Sequence, residues 1–263
     1  DDIIKATKPL TILLMGVDTG DATRSDLWSG QSDTMIVMTI NPQTNTTTMV
    51  SLERDMLTNI VDKDGSVVET AKLNAAYASG GAVTAVATIQ QQIGLGIDKY
   101  ALINMNGLKD LVDAVGGIEV DNKLGETISI EETEPDYTAT VEPGKQHING
   151  DQALVYARMR HQDPEGDIGR QARQREVITQ IMGKILSLNS ITKYEKILKA
   201  ISGNMKTDFA VNGNSLKSLL GYKDAFQKMR SIKLQGIGEM IDGISYQVMP
   251  TDNLLSVQNA LRL

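Results

Sequence analysis

The stretch YALINMNGLKDLVDAVGGIEV, residues 100–120, decides the fold class. Residues 100–105 are apolar enough for a buried strand. Asn106 stands where a helix cap would, and Leu108, Leu111, Val112 and Val115 then recur at helical spacing. Gly116 and Gly117 end that helix, and Ile118-Glu119-Val120 resumes extended structure. Strand, helix and strand in succession indicate an α/β protein.

Toward the N-terminus the pattern is mostly extended. Residues 11–17 (TILLMGV) form a continuous apolar run, as a strand buried on both faces requires. A polar loop follows, and residues 34–40 (TMIVMTI) read as a second strand. The turn Asn41-Pro42-Gln43-Thr44-Asn45 leads to a third at residues 47–52, so strands two and three are expected to form a hairpin. That hairpin would bring Arg54, just past strand three, beside Asp33, just before strand two. Asp18, past strand one, joins them if strands one and two are antiparallel and sits at the opposite edge if they are parallel. Taken singly, each aspartate reads as a turn or cap residue. Residues 72–77 are expected to open a helix interrupted at Gly80-Gly81 and resumed over 82–93.

Toward the C-terminus, residues 121–149 are polar and irregular, with Thr/Val alternation near 138–141 suited to a hairpin. A long helix is expected over 170–188 and others over 194–201 and 215–226. Short strands fit residues 231–234 and 245–249, and Asp252 would cap a last helix ending at Leu261. With no repeat and no low-complexity linker, the expected architecture is one α/β domain over residues 10–263, a central mixed sheet flanked by helices, after a leader over residues 1–9.

The charge pattern points to an anion site. The chain has nine arginines, and Arg158, Arg160, Arg170, Arg173 and Arg175 fall within eighteen residues, against a net charge of -7. Guanidinium is a permanent planar fork matched to phosphate and carboxylate. Arg158 and Arg160 share a face if the segment is extended and diverge by about 200° if it is helical. A loop over 162–169 follows, with Asp167 able to cap the next helix. Arg170, Arg173 and Gln174 stand at i, i+3 and i+4 in its first turn, where free N–H groups and the dipole also favour an anion. Two carboxylates near phosphate-binding arginines suit Mg²⁺, which takes oxygen ligands from one or two carboxylates and the phosphate itself.

Other chemistries are excluded or disfavoured. The 263 residues lack GxxxxGK[ST], a complete dinucleotide fingerprint and GxSxG. His147 and His161 are too few for a histidine-rich metal site, and the absence of cysteine excludes thiol chemistry. The acidic balance argues against nucleic acid as a partner. No apolar run approaches the roughly 20 residues that span a bilayer. The Asp1-Asp2 start is that expected of a piece of a longer protein.

Six stretches in order carry a resemblance: ILLMGVD (12–18), SDTMIVMTINP (32–42), MVSLERD (49–55), KLNAAYASGG (72–81), INMNGLKDLVDAVGGIEV (103–120) and NGDQALVYARMRHQDPEGDIGRQARQ (149–174). The chain resembles the LytR–CpsA–Psr family of Gram-positive cell-wall enzymes. The resemblance implies an extracellular domain on the cell membrane, held by an N-terminal anchor ahead of Asp1. It implies transfer of a phosphoglycan, teichoic acid or capsule, from undecaprenyl pyrophosphate to the 6-hydroxyl of peptidoglycan N-acetylmuramic acid. The polyprenyl tail would occupy an apolar groove among helices. Arg54, Arg158, Arg160, Arg170 and Gln174 would hold the pyrophosphate, with Lys72 near the head group, and Asp18 and Asp33 would be the acids associated with Mg²⁺ and activity. Together, phosphoryl-transfer chemistry and the resemblance make Asp33, Arg54 and Arg158 the candidate catalytic residues, Asp33 orienting or deprotonating the sugar hydroxyl. One departure stands out: the family often has arginine where this chain has Gln31. Either Arg24 replaces it or it is absent, and Asp21 competes with Asp18. The rival readings are a prenyl pyrophosphate pyrophosphatase and a non-catalytic module that binds polyprenyl lipid or wall polymer.

Overall fold

The computed structural model describes residues 3–17, 28, 32–130, 138–188, 190–210 and 212–263. The backbone forms two compact units, one made of residues 1–104, 205–210 and 217–263, the other of residues 105–204 and 211–216.

In the first unit the apolar runs pair as a mixed sheet. Strands β1 (Leu10–Val17), β2 (Ser32–Asn41) and β3 (Thr46–Ser51) are its middle, β1 and β2 antiparallel and β2 and β3 the expected hairpin. The turn between β2 and β3 places Asn45 at φ 52°, the left-handed region that asparagine tolerates. Strands β4 (Leu57–Val61) and β5 (Val67–Lys72) form a separate two-stranded ribbon. Helix α1 (Ala75–Ile93) breaks at Gly80 and Gly81, the latter at φ 71°, as the glycine pair led one to expect. Strand β6 (Lys99–Ile103) then adds to the sheet parallel to β1.

The second unit begins with helix α2 (Met105–Ala114). Strands β7 (Ile118–Asn122) and β8 (Gly144–Ile148) make an antiparallel ribbon. Helices α3 (Gly150–Arg158), α4 (Asp167–Leu186) and α5 (Ile191–Ile201) follow. Chain return to the first unit gives β9 (Met205–Thr207), antiparallel to β6. After helix α6 (Gly213–Leu220) come β10 (Lys228–Lys233), parallel to β3, the hairpin β11 (Ile237–Ile241) and β12 (Ile244–Val248), and helix α7 (Thr251–Leu261). Among the described residues the central sheet has six strands in the order β10-β3-β2-β1-β6-β9. The expected α/β class with a central mixed sheet flanked by helices is what the chain forms.

Each unit has its own core. Leu13, Met15, Val37 and Val50 on the sheet and Leu52 just past β3 share a core with Ala85, Ile89 and Ile93 of α1 and Val257 and Leu261 of α7. Val112, Ile118, Val120, Val155, Tyr156, Val177 and Ile181 form the other core. Helices α2 and α3 touch where Gly150 has no side chain. A Cβ there would lie 2.4 Å from the Lys109 carbonyl oxygen, while the Gly150 N–H donates to Asp113 at 2.8 Å. Backbone cannot yield as a flexible side chain does, so Gly150→Ala is expected to cost about 1–3 kcal/mol, the ordinary range for overpacking, measured by urea unfolding.

Several expectations need correction. Lys72 is the last residue of β5 and not the start of a helix; the helical pattern begins only at Ala75. Asn106 lies inside α2, which starts at Met105. The segment near 138–141 contributes one bridge, Ile128 to Val141, rather than a hairpin, and the pairing strand is β8. Asp252 lies in the first turn of α7, behind Pro250 as the cap residue.

Candidate functional site

In the first unit the site residues are placed by an irregularity. Along β1 and β2, Leu13 faces Val37, Met15 faces Met35 and Gly16 faces Thr34, but Val17 faces Ser32. Asp33 is the extra residue, a β-bulge. Cross-strand partners share a face of the sheet, so unbroken pairing would set Asp33 opposite Val17, on the side that packs the core. The bulge gives that slot to Ser32, which is fully buried, and re-aims Asp33. Its carboxylate meets Arg54, whose Nη1 donates to Asp33 Oδ1 at 3.2 Å, both side chains about a quarter exposed. The expected neighbours are therefore in contact. The Arg54 backbone is fixed as well, because its carbonyl accepts from Asn74 N at 3.1 Å and Leu73 N donates to Met56 O at 2.8 Å. This ties the Arg54 turn to the end of β5, where Lys72 Nζ lies 3.1 Å from Asp55 Oδ1 and 6.0 Å from the Tyr246 ring centre. The hairpin β11–β12 joins in through Gln247 N, which donates to Asp55 O at 3.0 Å. Tyr246 had no signal in the sequence to link it with Lys72.

Asp18, Asp21, Arg24 and Gln31 lie outside the described residues. The antiparallel pairing of β1 and β2 resolves the question left open in the sequence: the end of β1 and the start of β2 lie at one edge. Among the described residues no group of three or more His, Asp or Glu side chains is gathered as a metal site.

In the second unit the arginine stretch is helix, loop, helix. Asn149 caps α3 with a reciprocal capping box, its side chain accepting from Gln152 N and the Gln152 side chain accepting from Asn149 N, each at 3.0 Å. The helix ends at Arg158, and Met159 is already extended. Neither geometry considered for Arg158 and Arg160 holds throughout: the first is the last helical residue and the second lies beyond it, both partly exposed. Gly166, at φ 55°, precedes α4. Asp167 is the first residue of that helix and meets Arg170 at 2.7 Å. Arg170, Arg173 and Arg175 are all buried. Burial pushes the Arg175 guanidinium below its usual pKa.

The helical face holding Arg170, Arg173 and Gln174 is not uniformly given to a ligand. Arg173 Nε donates to Tyr156 O at 2.9 Å and Nη2 to Met159 O, while Nη1 pairs with Asp163 Oδ2 at 2.6 Å. Gln174 Nε2 donates to Ala157 O at 3.2 Å. Beneath them Tyr156 donates to the Glu176 carboxylate and, at 3.2 Å, to Asp121 O. Burial first, and then the Glu176 carboxylate, push the Tyr156 hydroxyl well above the usual tyrosine pKa. His161 is exposed, and His147 is occupied by Glu119 at 2.8 Å and Gly116 O at 2.9 Å.

Sequence relatives, a solved structure and a family profile place the chain. Biofilm regulatory protein A of Streptococcus mutans is 52% identical over 263 residues, which are 99% of this chain and 65% of that protein. The polyisoprenyl-teichoic acid–peptidoglycan teichoic acid transferase TagU of Enterococcus faecalis is 48% identical over 255 residues, 97% of this chain and 79% of its own length. A crystal structure of a Streptococcus agalactiae protein, 53% identical, superposes with a TM-score of 0.89, covering 97% of this chain and 87% of that one. The sequence profile of the LytR_cpsA_psr family matches residues 2–263, and the chain belongs to that family.

Proposed function

We propose that this chain transfers a phosphoglycan of the teichoic acid or capsule type from a polyprenyl pyrophosphate carrier to peptidoglycan. The observation that carries the reading is the Asp33–Arg54 pair, a carboxylate set out of the core by a bulge and held against a cation. Family membership and the teichoic acid transferase activity by which the Enterococcus faecalis relative is named support it.

In this reading Arg54, Lys72, Arg158, Arg160, Arg170 and Gln174 bind pyrophosphate oxygens, and Arg54 and Arg158 stabilise the charge that develops as the bond to the leaving group breaks. The acceptor's 6-hydroxyl oxygen forms a new bond to the sugar-bearing phosphorus. The bond from that phosphorus to the bridging oxygen breaks, and polyprenyl phosphate leaves with the electron pair. Asp33 orients the hydroxyl or takes its proton. Asp33 also has the oxygen ligands that Mg²⁺ prefers, and a site completed by pyrophosphate oxygens needs only one or two carboxylates. It is the described residue that would hold the ion, with Asp18 as the second assigned ligand. The ion would supply charge neutralisation on the pyrophosphate. The carrier is a membrane lipid, so the working place is the outer face of the cell membrane, reached through an N-terminal anchor, with the polyprenyl tail in an apolar groove. Among the described residues no helix is long and apolar enough to cross a membrane.

Mass spectrometry of protein purified under mild conditions tests the substrate class. A co-purified polyprenyl phosphate or pyrophosphate, lost from the Arg54→Ala and Arg158→Ala variants, is the expected result. Release of inorganic phosphate from prenyl pyrophosphates without an acceptor would favour the hydrolase instead. Ligand binding unchanged on removal of Asp33, with no turnover in Mg²⁺, would mark a non-catalytic binding module.

A further inference from the structure

Within the arginine cluster Arg158 and Arg160 are partly exposed, whereas Arg170, Arg173 and Arg175 are buried, and the fork of Arg173 is spent on the protein itself. Arg173 is about one-tenth exposed, and so is its partner Asp163. Its three nitrogens reach the Tyr156 carbonyl, the Met159 carbonyl and the Asp163 carboxylate. The first two are carbonyls at the C-terminal end of α3, where the helix leaves its last C=O groups without partners. Those carbonyls bracket Arg158, and that of Met159 directly precedes Arg160. Asp163 closes the arrangement: its N–H donates to Arg160 O at 3.2 Å, and its Oδ1 accepts from Glu165 N at 2.8 Å. The carboxylate can lie here because residue 169 is glycine. A Cβ on Gly169 would fall 1.8 Å from Asp163 Oδ2. Three separate features thus converge on the backbone of residues 156–163.

We infer that Arg173, Asp163 and Gly169 form a positioning latch that fixes the backbone carrying Arg158 and Arg160, and so sets their guanidinium groups for a pyrophosphate. This rests on the functional reading above, in which Arg158 and Arg160 hold the head group. Arg173 touches no substrate; it acts through the two arginines it braces. The i, i+3, i+4 spacing puts Arg170, Arg173 and Gln174 on one face, but only the contacts show that Arg173 is turned inward onto α3. A small displacement is enough to matter, because bidentate guanidinium contacts depend on a fixed fork.

The test compares binding of geranylgeranyl pyrophosphate with binding of geranylgeraniol, which has the tail and no phosphate. The variants are Arg173→Met paired with Asp163→Asn, which removes the latch without leaving a lone buried charge, Arg173→Lys, and Gly169→Ala. The last keeps both charged partners and replaces a helical glycine by the best helix former, so it displaces Asp163 without weakening the helix. Folded Gly169→Ala and double-variant proteins are expected to lose about 10- to 100-fold in affinity for the pyrophosphate, the scale of a misplacement near 1 Å, with affinity for the alcohol unchanged. Arg173→Lys should recover part of the loss. A merely structural role would lower both affinities together or neither, and either outcome overturns the latch. Arg158→Ala is the control. Loss of pyrophosphate affinity there, with none in the latch variants, rejects the latch alone. Full pyrophosphate affinity in Arg158→Ala rejects the functional reading and the latch with it.

Discussion

Replacing either Arg54 or Arg158 with alanine is expected to abolish glycan transfer in a protein that still folds. Removing one preorganised charge donor aimed at a developing anion typically costs about 10²–10³ in rate, and an arginine on a transferring phosphoryl group is worth more still, about 10³–10⁵. The stability cost is small by comparison. Arg54 is about a quarter exposed and its pair with Asp33 spans 3.2 Å, a partly solvated ion pair that contributes about 1 kcal/mol or less. The turn it stands in is held by backbone bonds to Leu73 and Asn74 that alanine keeps. Arg158 ends α3, where alanine is a good helix former. The check is transfer from a purified lipid-linked glycan to peptidoglycan fragments, with thermal unfolding run on the same samples. Normal transfer by a folded variant would remove that arginine from the mechanism.

The largest stability effect is expected at Tyr156. The residue is 2% exposed in the core of the second unit, its hydroxyl bonds to Glu176 and Asp121 O, and its carbonyl accepts from Arg173. Truncation to alanine should cost about 3–5 kcal/mol, the range for a buried aromatic residue. Tyr156→Phe separates ring from hydroxyl. The folded hydroxyl has its pKa raised, by burial and then by Glu176, whereas in the unfolded chain it ionises near the usual value of about 10. Its contribution is therefore fully present below about pH 10 and declines as pH rises above that, because the unfolded chain alone gives up the proton. Urea unfolding from pH 8 to 11 should show a steeper alkaline loss in the wild type than in Tyr156→Phe. Parallel profiles would disprove the assignment.

The sheet's middle was legible because its strands are long apolar runs that alternate with turn signals. The Asp33–Arg54 contact was legible too, since hairpin geometry alone brings those positions together. The ribbon β4–β5 was not, because a strand exposed on both faces leaves no period-two pattern: residues 67–70 of β5 are all exposed. Lys72 precedes the alanines of α1 by too few residues for composition to separate the end of β5 from the helix. The hairpin β11–β12 did carry its signal, the dipeptide Asp242-Gly243, with both residues at positive φ. Such a pair between apolar residues marks a type I′ turn, although the expected strand over 245–249 covers only the second arm. The bulge at Asp33 and the inward turn of Arg173 had no local signature. Both depend on which partner a residue meets across a strand or helix, and helical or strand periodicity reports only the face.

The edges of the central sheet are added late in the order of synthesis. Strands β1, β2, β3 and β6 are complete by residue 103, but β10, which covers β3, comes from residues 228–233. Arg230 reaches back to Thr48 across 182 residues of chain. Between β6 and β9 lies a continuous run, residues 105–204, with its own core. The emerging chain can therefore finish that insertion while β3 still presents an open row of N–H and C=O groups. An open edge of this kind is a template for pairing with another chain. Truncation before Lys228 should turn a protein that keeps most of its core into one that aggregates through β3.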